Sequence, residues 1–195
     1  MGFGSYQAHD HLFYARGLFR KYADAFQSVD GSNGLTTTLT NYLVRDVVEA
    51  GQDVKNSKLG EFILQSCTDY LQAQGFDTSR NQFEITNVWL NEMVSESNHK
   101  MHSHSGNIVS GCFYVDVPEN SGTIMFSGFL PRFDYIALPV KEYTYFNSDT
   151  WTVPVQEGQL LCWNSYVQHG VPEQSFKGKR RSIAFDVSVV RKENS

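Results

Sequence analysis

The sequence predicts a mainly β (α+β) protein: an antiparallel sandwich or barrel with helical support along one side. Two observations lead to it. Short alternating segments separated by turn chemistry fill the chain from about residue 81 to 190, and an amphipathic helix precedes them. With 195 residues, 41% of them hydrophobic and 14% aromatic, the chain is long enough for one well-filled core. The expected organisation is a single domain over residues 1–195, with 1–80 a mixed α/β entry segment packed on a barrel of 81–190.

Residues 1 to about 57 read as an irregular entry. "DHLFYARGLFRKYADAFQSV" can be helical, and Asp30-Gly31 and Asn33-Gly34 are turn signals ahead of β-branched residues. From Lys58 to Gln74, Leu59, Phe62, Ile63, Cys67, Tyr70 and Leu71 fall near helical spacing, and Gly75 follows as a C-cap. The period then becomes two. In "FEITNVWLNEMV", Ile85, Asn87, Trp89, Asn91 and Met93 share one face, and Glu84, Thr86, Val88, Leu90 and Glu92 the other. Further strands are expected at Ser110 to Val117, Gly122 to Phe129, within Tyr143 to Val155, Gly158 to Asn164 and Arg181 to Val190. "PENSG", "LPRFD", "QEG" and "KGK" turn the chain between them.

Sixteen basic against 21 acidic residues give a net charge of −5, so no global basic field exists to hold nucleic acid or an anionic membrane. No apolar run approaches the ~18 residues of a membrane span, and a cytoplasmic location, in a bacterial or phage-infected cell, is expected. Cys67, Cys112 and Cys162 are an odd count without a CxxC pair. That argues against a disulfide scaffold or a thiolate zinc site and for three small core residues.

The chemistry concentrates in "NHKMHSHSGNIVSGCFYVDVP", Asn98 to Pro118. On an extended segment residues i and i+2 point to one side, so His102 and His104 would present both imidazoles to one space. His169, in "WNSYVQHGVP", lies far along the chain, yet a compact barrel readily makes such residues neighbours. Nitrogen ligands without thiolates suit Zn, Fe, Cu or Ni, and imidazoles around open coordination positions are the pattern of non-heme Fe(II) oxygenases. The pattern is weak by itself, since His9-x-His11 repeats it; His9, His11 and His99 are given no role. Arg180, in "KGKRRSIAFDV", adds to it. A guanidinium at the start of an inward-facing strand can grip a carboxylate bidentately, with the Ser182 hydroxyl on the same side. Without the histidines, Arg180 and Arg181 beside Lys177 and Lys179 would read as a solvated basic turn.

In their order these motifs resemble the 2-oxoglutarate and Fe(II)-dependent oxygenases, and more narrowly a small group of them from bacteria and cyanophages. The resemblance rests on Trp89-Leu90-Asn91, His102-Ser103-His104, Ser110-Gly111-Cys112-Phe113-Tyr114-Val115, His169-Gly170-Val171 and Arg180-Arg181-Ser182-Ile183-Ala184-Phe185-Asp186. It runs from about Ile85 to Val187. It implies a double-stranded β-helix, or jelly-roll, with the first ligands near the second core strand, the distal His on the seventh and the Arg on the eighth. By the same resemblance His102, His104 and His169 are the catalytic Fe(II) ligands. Arg180 binds the distal carboxylate of 2-oxoglutarate, with Tyr114 and Ser182 as hydrogen-bonding candidates. The implied cofactors are Fe(II) and 2-oxoglutarate with dioxygen as co-substrate, and the implied reaction is a hydroxylation.

The sequence departs from the family at several positions. The superfamily's usual motif is His-x-Asp/Glu, whereas position 104 is His, which leaves the metal centre one unit more positive. Ser105, Phe113 and Asp186 stand where the group has Pro, Tyr and Asn. Strand register decides between Arg180 and Arg181 as the anchor, and the Arg-x-Ser spacing favours Arg180.

Two other readings compete: a three-histidine, cupin-like metal enzyme without 2-oxoglutarate, and a non-enzymatic jelly-roll that binds through its aromatic residues. The substrate, a protein side chain or a small molecule, is not legible. Trp89, Tyr114, Tyr135, Tyr143, Tyr145, Trp151 and Tyr166 could line a cleft, and substrate contacts are expected from the loop between Leu130 and Trp151 and from the first 57 residues. A homodimer is the default expectation for assembly.

Overall fold

The computed structural model of the chain describes residues 3–28, 34–37, 45–127, 141–142, 144, 148 and 150–190. Among these are eleven strands: β1 (Gly4–Gln7), β2 (Gln27–Ser28), β3 (Leu35–Thr37), β4 (Gln82–Met93), β5 (His99–His102), β6 (Val109–Asp116), β7 (Thr123–Ser127), β8 (Thr150–Pro154), β9 (Gln159–Asn164), β10 (Gln168–Val171) and β11 (Arg180–Val190). Three α-helices accompany them: α1 (Leu12–Lys21), α2 (Arg45–Lys55) and α3 (Lys58–Ala73).

Helix α3 forms where the apolar spacing predicts it. The Ser57 hydroxyl caps its start by accepting from the Gly60 N–H at 3.2 Å. At its end Gly75 takes φ +86°, and the Phe76 N–H reaches back to the Leu71 carbonyl at 3.2 Å, the glycine-dependent helix stop. Leu59, Ile63, Cys67, Tyr70 and Leu71 are its buried face.

The strands form two sheets. The larger runs β1-β9-β6-β11-β4-β3-β2 and the smaller β5-β10-β7-β8, with all pairs antiparallel. Counted from β4, the eight strands β4 to β11 are divided four and four between the sheets, crossing at every step except the β7–β8 hairpin of the smaller one, in jelly-roll order, a double-stranded β-helix. β1 extends one edge of the large sheet, and β2 and β3 the other.

The outer face of the large sheet carries the main core. Val88, Leu90, Phe113, Leu160, Ile183 and Phe185 pack there with Leu18 and Phe19 of α1, Val54 of α2 and the buried face of α3. Each such side chain contributes about 1.5–3 kcal/mol by leaving water. Gly111 is fixed by this packing, because a Cβ there would come within 2.2 Å of the Phe185 ring. A second cluster, with Phe126 and Trp163 edge to face at 5.2 Å, fills one end of the space between the sheets.

The alternation predicted for β4 needs one correction. Ile85 packs with Val88 and Leu90 on the helix-covered face, not with Trp89 and Met93. The cause is a β-bulge: Asp186 pairs with Asn87 but Val187 pairs with Ile85, so Thr86 is an extra residue and the alternation slips by one. Cys67, Cys112 and Cys162 are buried free thiols, as expected of core residues. The N-terminal region is more regular than its sequence suggests, with α1, α2 and three short strands. Tyr135, Tyr143, Tyr145 and most of the stretch between Leu130 and Trp151 lie outside the described residues. Among the described residues no helix is long and apolar enough to cross a membrane.

Candidate active site

The site lies between the sheets. β5 ends on His102, and His104 follows two residues later, where its N–H donates to the Ser165 carbonyl at 2.9 Å. β10 runs antiparallel to β5 with His169 directly opposite His102, which brings two distant histidines face to face. The ring centroids of His102 and His169 are 4.3 Å apart, those of His102 and His104 5.1 Å, and those of His104 and His169 5.2 Å. One ligand atom from each residue lies within 4.8 Å of the other two.

The tautomers follow from the hydrogen bonds. The Nδ1 of His102 meets the Lys100 carbonyl at 2.8 Å, that of His169 the Val167 carbonyl at 3.1 Å, and that of His104 the Asp186 carboxylate at 2.7 Å. All three partners are acceptors, so each Nδ1 carries the proton and each Nε2 keeps a lone pair for a metal. Burial pushes the His102 and His169 imidazoles below their ordinary range, and neighbouring histidines push the same way, so both are neutral when a metal would bind. Three imidazoles whose Nε2 atoms are left free by these hydrogen bonds, around a shared centre, fit a divalent transition metal.

A cavity of about 220 Å³ opens from these rings toward β11. His102, His104, His169, Tyr114, Arg180 and Ser182 all line it. Arg180 is only 3% exposed. Its guanidinium stands 5.4 Å from the centre of the Tyr114 ring and 3.9 Å from the Met93 sulfur, and its Nε has no hydrogen-bond partner. Tyr114 is equally buried; its hydroxyl is also without a partner, and burial holds its phenol well above the usual range. Ser182 pairs with Tyr114 in the β11–β6 register. A buried cation beside a buried, unbonded hydroxyl is costly unless an anion joins them. A carboxylate fits that need.

Arg181 points the other way. It donates to Glu92 at 2.9 Å and to Asp116 at 3.4 Å on the helix-covered side. The next-door arginine is thus already paired, and the cavity side of β11 belongs to Arg180 and Ser182.

The structure therefore brings together every site residue expected from the sequence. It adds three more. His99 stands against His102 with ring centroids 4.2 Å apart and lines the cavity, its imidazole pushed down to about 4 by burial first and by His102 and His104 second. Strict alternation would send it to the opposite face. Between the pairs His169–His102 and Val171–His99, however, β5 spends one residue more than β10, and the bulge turns His99 inward. Trp163 packs its ring 4.7 Å from His169, and Asp186 sits behind His104. The aromatic pattern marks Trp163 only as a strand residue. Of the aromatic residues expected at a cleft, Trp89 and Tyr114 line the cavity and Tyr166 is 62% exposed. The first 57 residues contribute Leu35 and Thr37 to the wall.

A double-stranded β-helix with three imidazoles converging beside a buried arginine defines the class: a non-heme metal enzyme fold with a place for an organic acid. Comparison with known proteins gives the particular family. Residues 87–186, about half of the chain, match the family described as "Putative 2OG-Fe(II) oxygenase". The chain belongs to that family and is a 2-oxoglutarate- and Fe(II)-dependent oxygenase.

Solved structures share the fold at low sequence identity. A 2OG-Fe(II) oxygenase family oxidoreductase from Burkholderia pseudomallei is 13% identical with a TM-score of 0.60, the match covering 96% of this chain and 84% of that one. A prolyl-4-hydroxylase from Pseudomonas putida is 17% identical with a TM-score of 0.54, covering 96% and 92%. HygX from Streptomyces hygroscopicus, solved with nickel, 2-oxoglutarate and hygromycin B bound, is 14% identical with a TM-score of 0.56, covering 96% and 83%. No curated protein matches the chain in sequence. Membership of the family sets aside the cupin-like and non-enzymatic readings.

Proposed function

We propose that His102, His104 and His169 hold the iron, that Arg180 anchors the distal carboxylate of 2-oxoglutarate with help from Tyr114 and Ser182, and that the enzyme is a hydroxylase. The observation that carries this reading is Arg180. It is a buried guanidinium beside the unbonded Tyr114 hydroxyl, in the same cavity as three inward-facing imidazoles.

The iron, when bound, supplies the activation of dioxygen that couples decarboxylation of 2-oxoglutarate to oxidation of the substrate. The chain's own residues orient and enclose. The backbone carbonyls of Lys100 and Val167 fix the rings of His102 and His169, and Arg180 sets which end of the 2-oxoacid points away from the metal. Trp89, Met93, Ile124 and Trp163 make the cavity wall largely apolar and exclude water from it.

The same reading takes the chain as one domain, with residues 1–80 bracing the core of 81–190. The substrate is a protein side chain or a small molecule. No nucleic acid or membrane partner is expected, a cytoplasmic location is expected, and a homodimer is the default expectation for assembly.

Anaerobic calorimetric titration with Mn(II) and then 2-oxoglutarate tests the site. Wild type is expected to bind about one equivalent of each. His169→Ala should lose the metal. Arg180→Ala should keep it but bind 2-oxoglutarate about 2–5 kcal/mol more weakly, the usual cost of truncating a buried charged contact. If Arg180→Ala binds 2-oxoglutarate like wild type, Arg180 is not the anchor.

A further inference from the structure

Non-heme Fe(II) oxygenase sites commonly combine two imidazoles with one carboxylate. The three converging ligands here are all imidazoles, and a carboxylate lies directly behind one of them. Asp186 is 1% exposed, and its Oδ1 is 2.7 Å from the His104 Nδ1. Three further side chains converge on it. The Ser110 hydroxyl donates to the same oxygen at 2.6 Å, and the amides of Asn87 and Asn107 donate to Oδ2 at 3.2 and 3.1 Å. The Asn107 amide is itself oriented, because the hydroxyl of Thr86 donates to its Oδ1 at 2.8 Å. That threonine is the extra residue of the β4 bulge. A four-donor cage, held from β4, β6 and the segment between β5 and β6, thus surrounds one buried carboxylate whose fourth donor is a metal-facing histidine.

We infer that Asp186 is the carboxylate of the metal site held one imidazole away from the metal. It fixes the His104 tautomer with Nε2 facing the cavity, and it passes negative charge through the ring to make His104 a stronger donor than a free imidazole. The bulge at Thr86 and the amides of Asn87 and Asn107 are there to aim it. Asp186 is a positioning residue, since it touches neither metal nor substrate. The inference rests on the reading that His104 is a ligand.

The test reads metal affinity, not turnover. Mn(II) binding to the metal-free protein is followed by the electron paramagnetic resonance of the free ion, with far-ultraviolet circular dichroism as the check on folding. Asp186→Asn keeps the shape and removes the charge, and is expected to weaken Mn(II) binding 10- to 100-fold. Combining it with His104→Asp moves the carboxylate onto the metal itself and is expected to restore most of the loss. A folded Asp186→Asn protein that binds Mn(II) within twofold of wild type overturns the inference, as does a double variant no better than Asp186→Asn alone. Failure of the underlying site is separable: wild type would then bind no Mn(II), or His104→Ala would bind it normally. Should Asp186→Asn not fold, the Zn(II)-loaded wild type decides. Its His104 Nδ1 proton is expected well downfield of those of His102 and His169, which face backbone carbonyls, and three alike resonances would refute the charge role.

Discussion

The two faces of β11 obey different rules. Ile183, Phe185 and Val187 turn to the helices and are wholly buried in apolar company, whereas Arg180, Ser182 and Ala184 line the cavity and Asp186 sits at its edge behind His104. Neighbouring strands repeat the division: Phe113 against Cys112 and Tyr114 on β6, Leu90 against Trp89 and Asn91 on β4. One face has nothing but burial to offer, and its side chains hold the sheet in place. The other carries a buried guanidinium whose Nε has no hydrogen-bond partner and the unbonded Tyr114 hydroxyl, which work against stability and are offset by the well-filled first face.

The largest expected effect breaks that first face. Phe185 is fully buried over Gly111, where the backbone comes too close for any larger residue. Phe185→Ala should cost about 3–5 kcal/mol in urea unfolding, the range for emptying a buried aromatic site. The remaining folded fraction should still bind metal. If instead Phe185→Ala leaves stability near wild type and removes metal binding, the two faces are not separable as argued.

The cavity face should reveal itself through pH. The imidazoles of His99, His102 and His169 are all held below the ordinary value of about 6.5, chiefly by burial. Between their folded and unfolded values the unfolded chain binds more protons, so stability rises with pH there. The metal-free protein should gain nothing from these groups above about pH 6.5 and lose stability as pH falls toward 4, by up to about 1.4 kcal/mol per unit for each imidazole. Melting curves of wild type and His99→Gln across that window check it. Removing His99 should flatten the slope by about one group's share, and an unchanged slope would mean that His99 does not carry the shift.

How much of this could be read beforehand also divides along the two faces. Helix α3 and strands β4, β6, β7, β9 and β11 are legible because apolar residues recur at periods of 3.6 or two and Gly-containing turns separate them. β5 and β10 are not: "HKMH" and "QHGV" are four residues each, polar and without alternation, and only pairing in the small sheet makes them strands. Two bulges limit the rest. Thr86 slips the β4 pattern and misplaces Ile85, and the extra residue in β5 brings in His99 against the expected alternation. The role of Asp186 is invisible in sequence for another reason. Its donors come from residues 87, 104, 107 and 110, and no local pattern says that they meet.

The smallest expected effect sharpens the comparison most, because it separates two adjacent arginines by the face each takes. Arg181 shares Glu92 with Lys179, whose Nζ is 2.6 Å from it, and shares Asp116 with Arg16 at 2.7 Å. Removing Arg181 therefore leaves neither carboxylate unpaired. Arg181→Ala should cost about 0–1 kcal/mol of stability, as for other partly exposed ion pairs, and leave 2-oxoglutarate affinity unchanged in the same titration that Arg180→Ala fails. The opposite outcome, with Arg181→Ala losing the 2-oxoacid and Arg180→Ala keeping it, would mean that β11 is one residue out of register at its first turn into the cavity. Every side chain from Arg180 to Asp186 would then exchange faces, and the pairing of Asp186 with His104 would be lost with it.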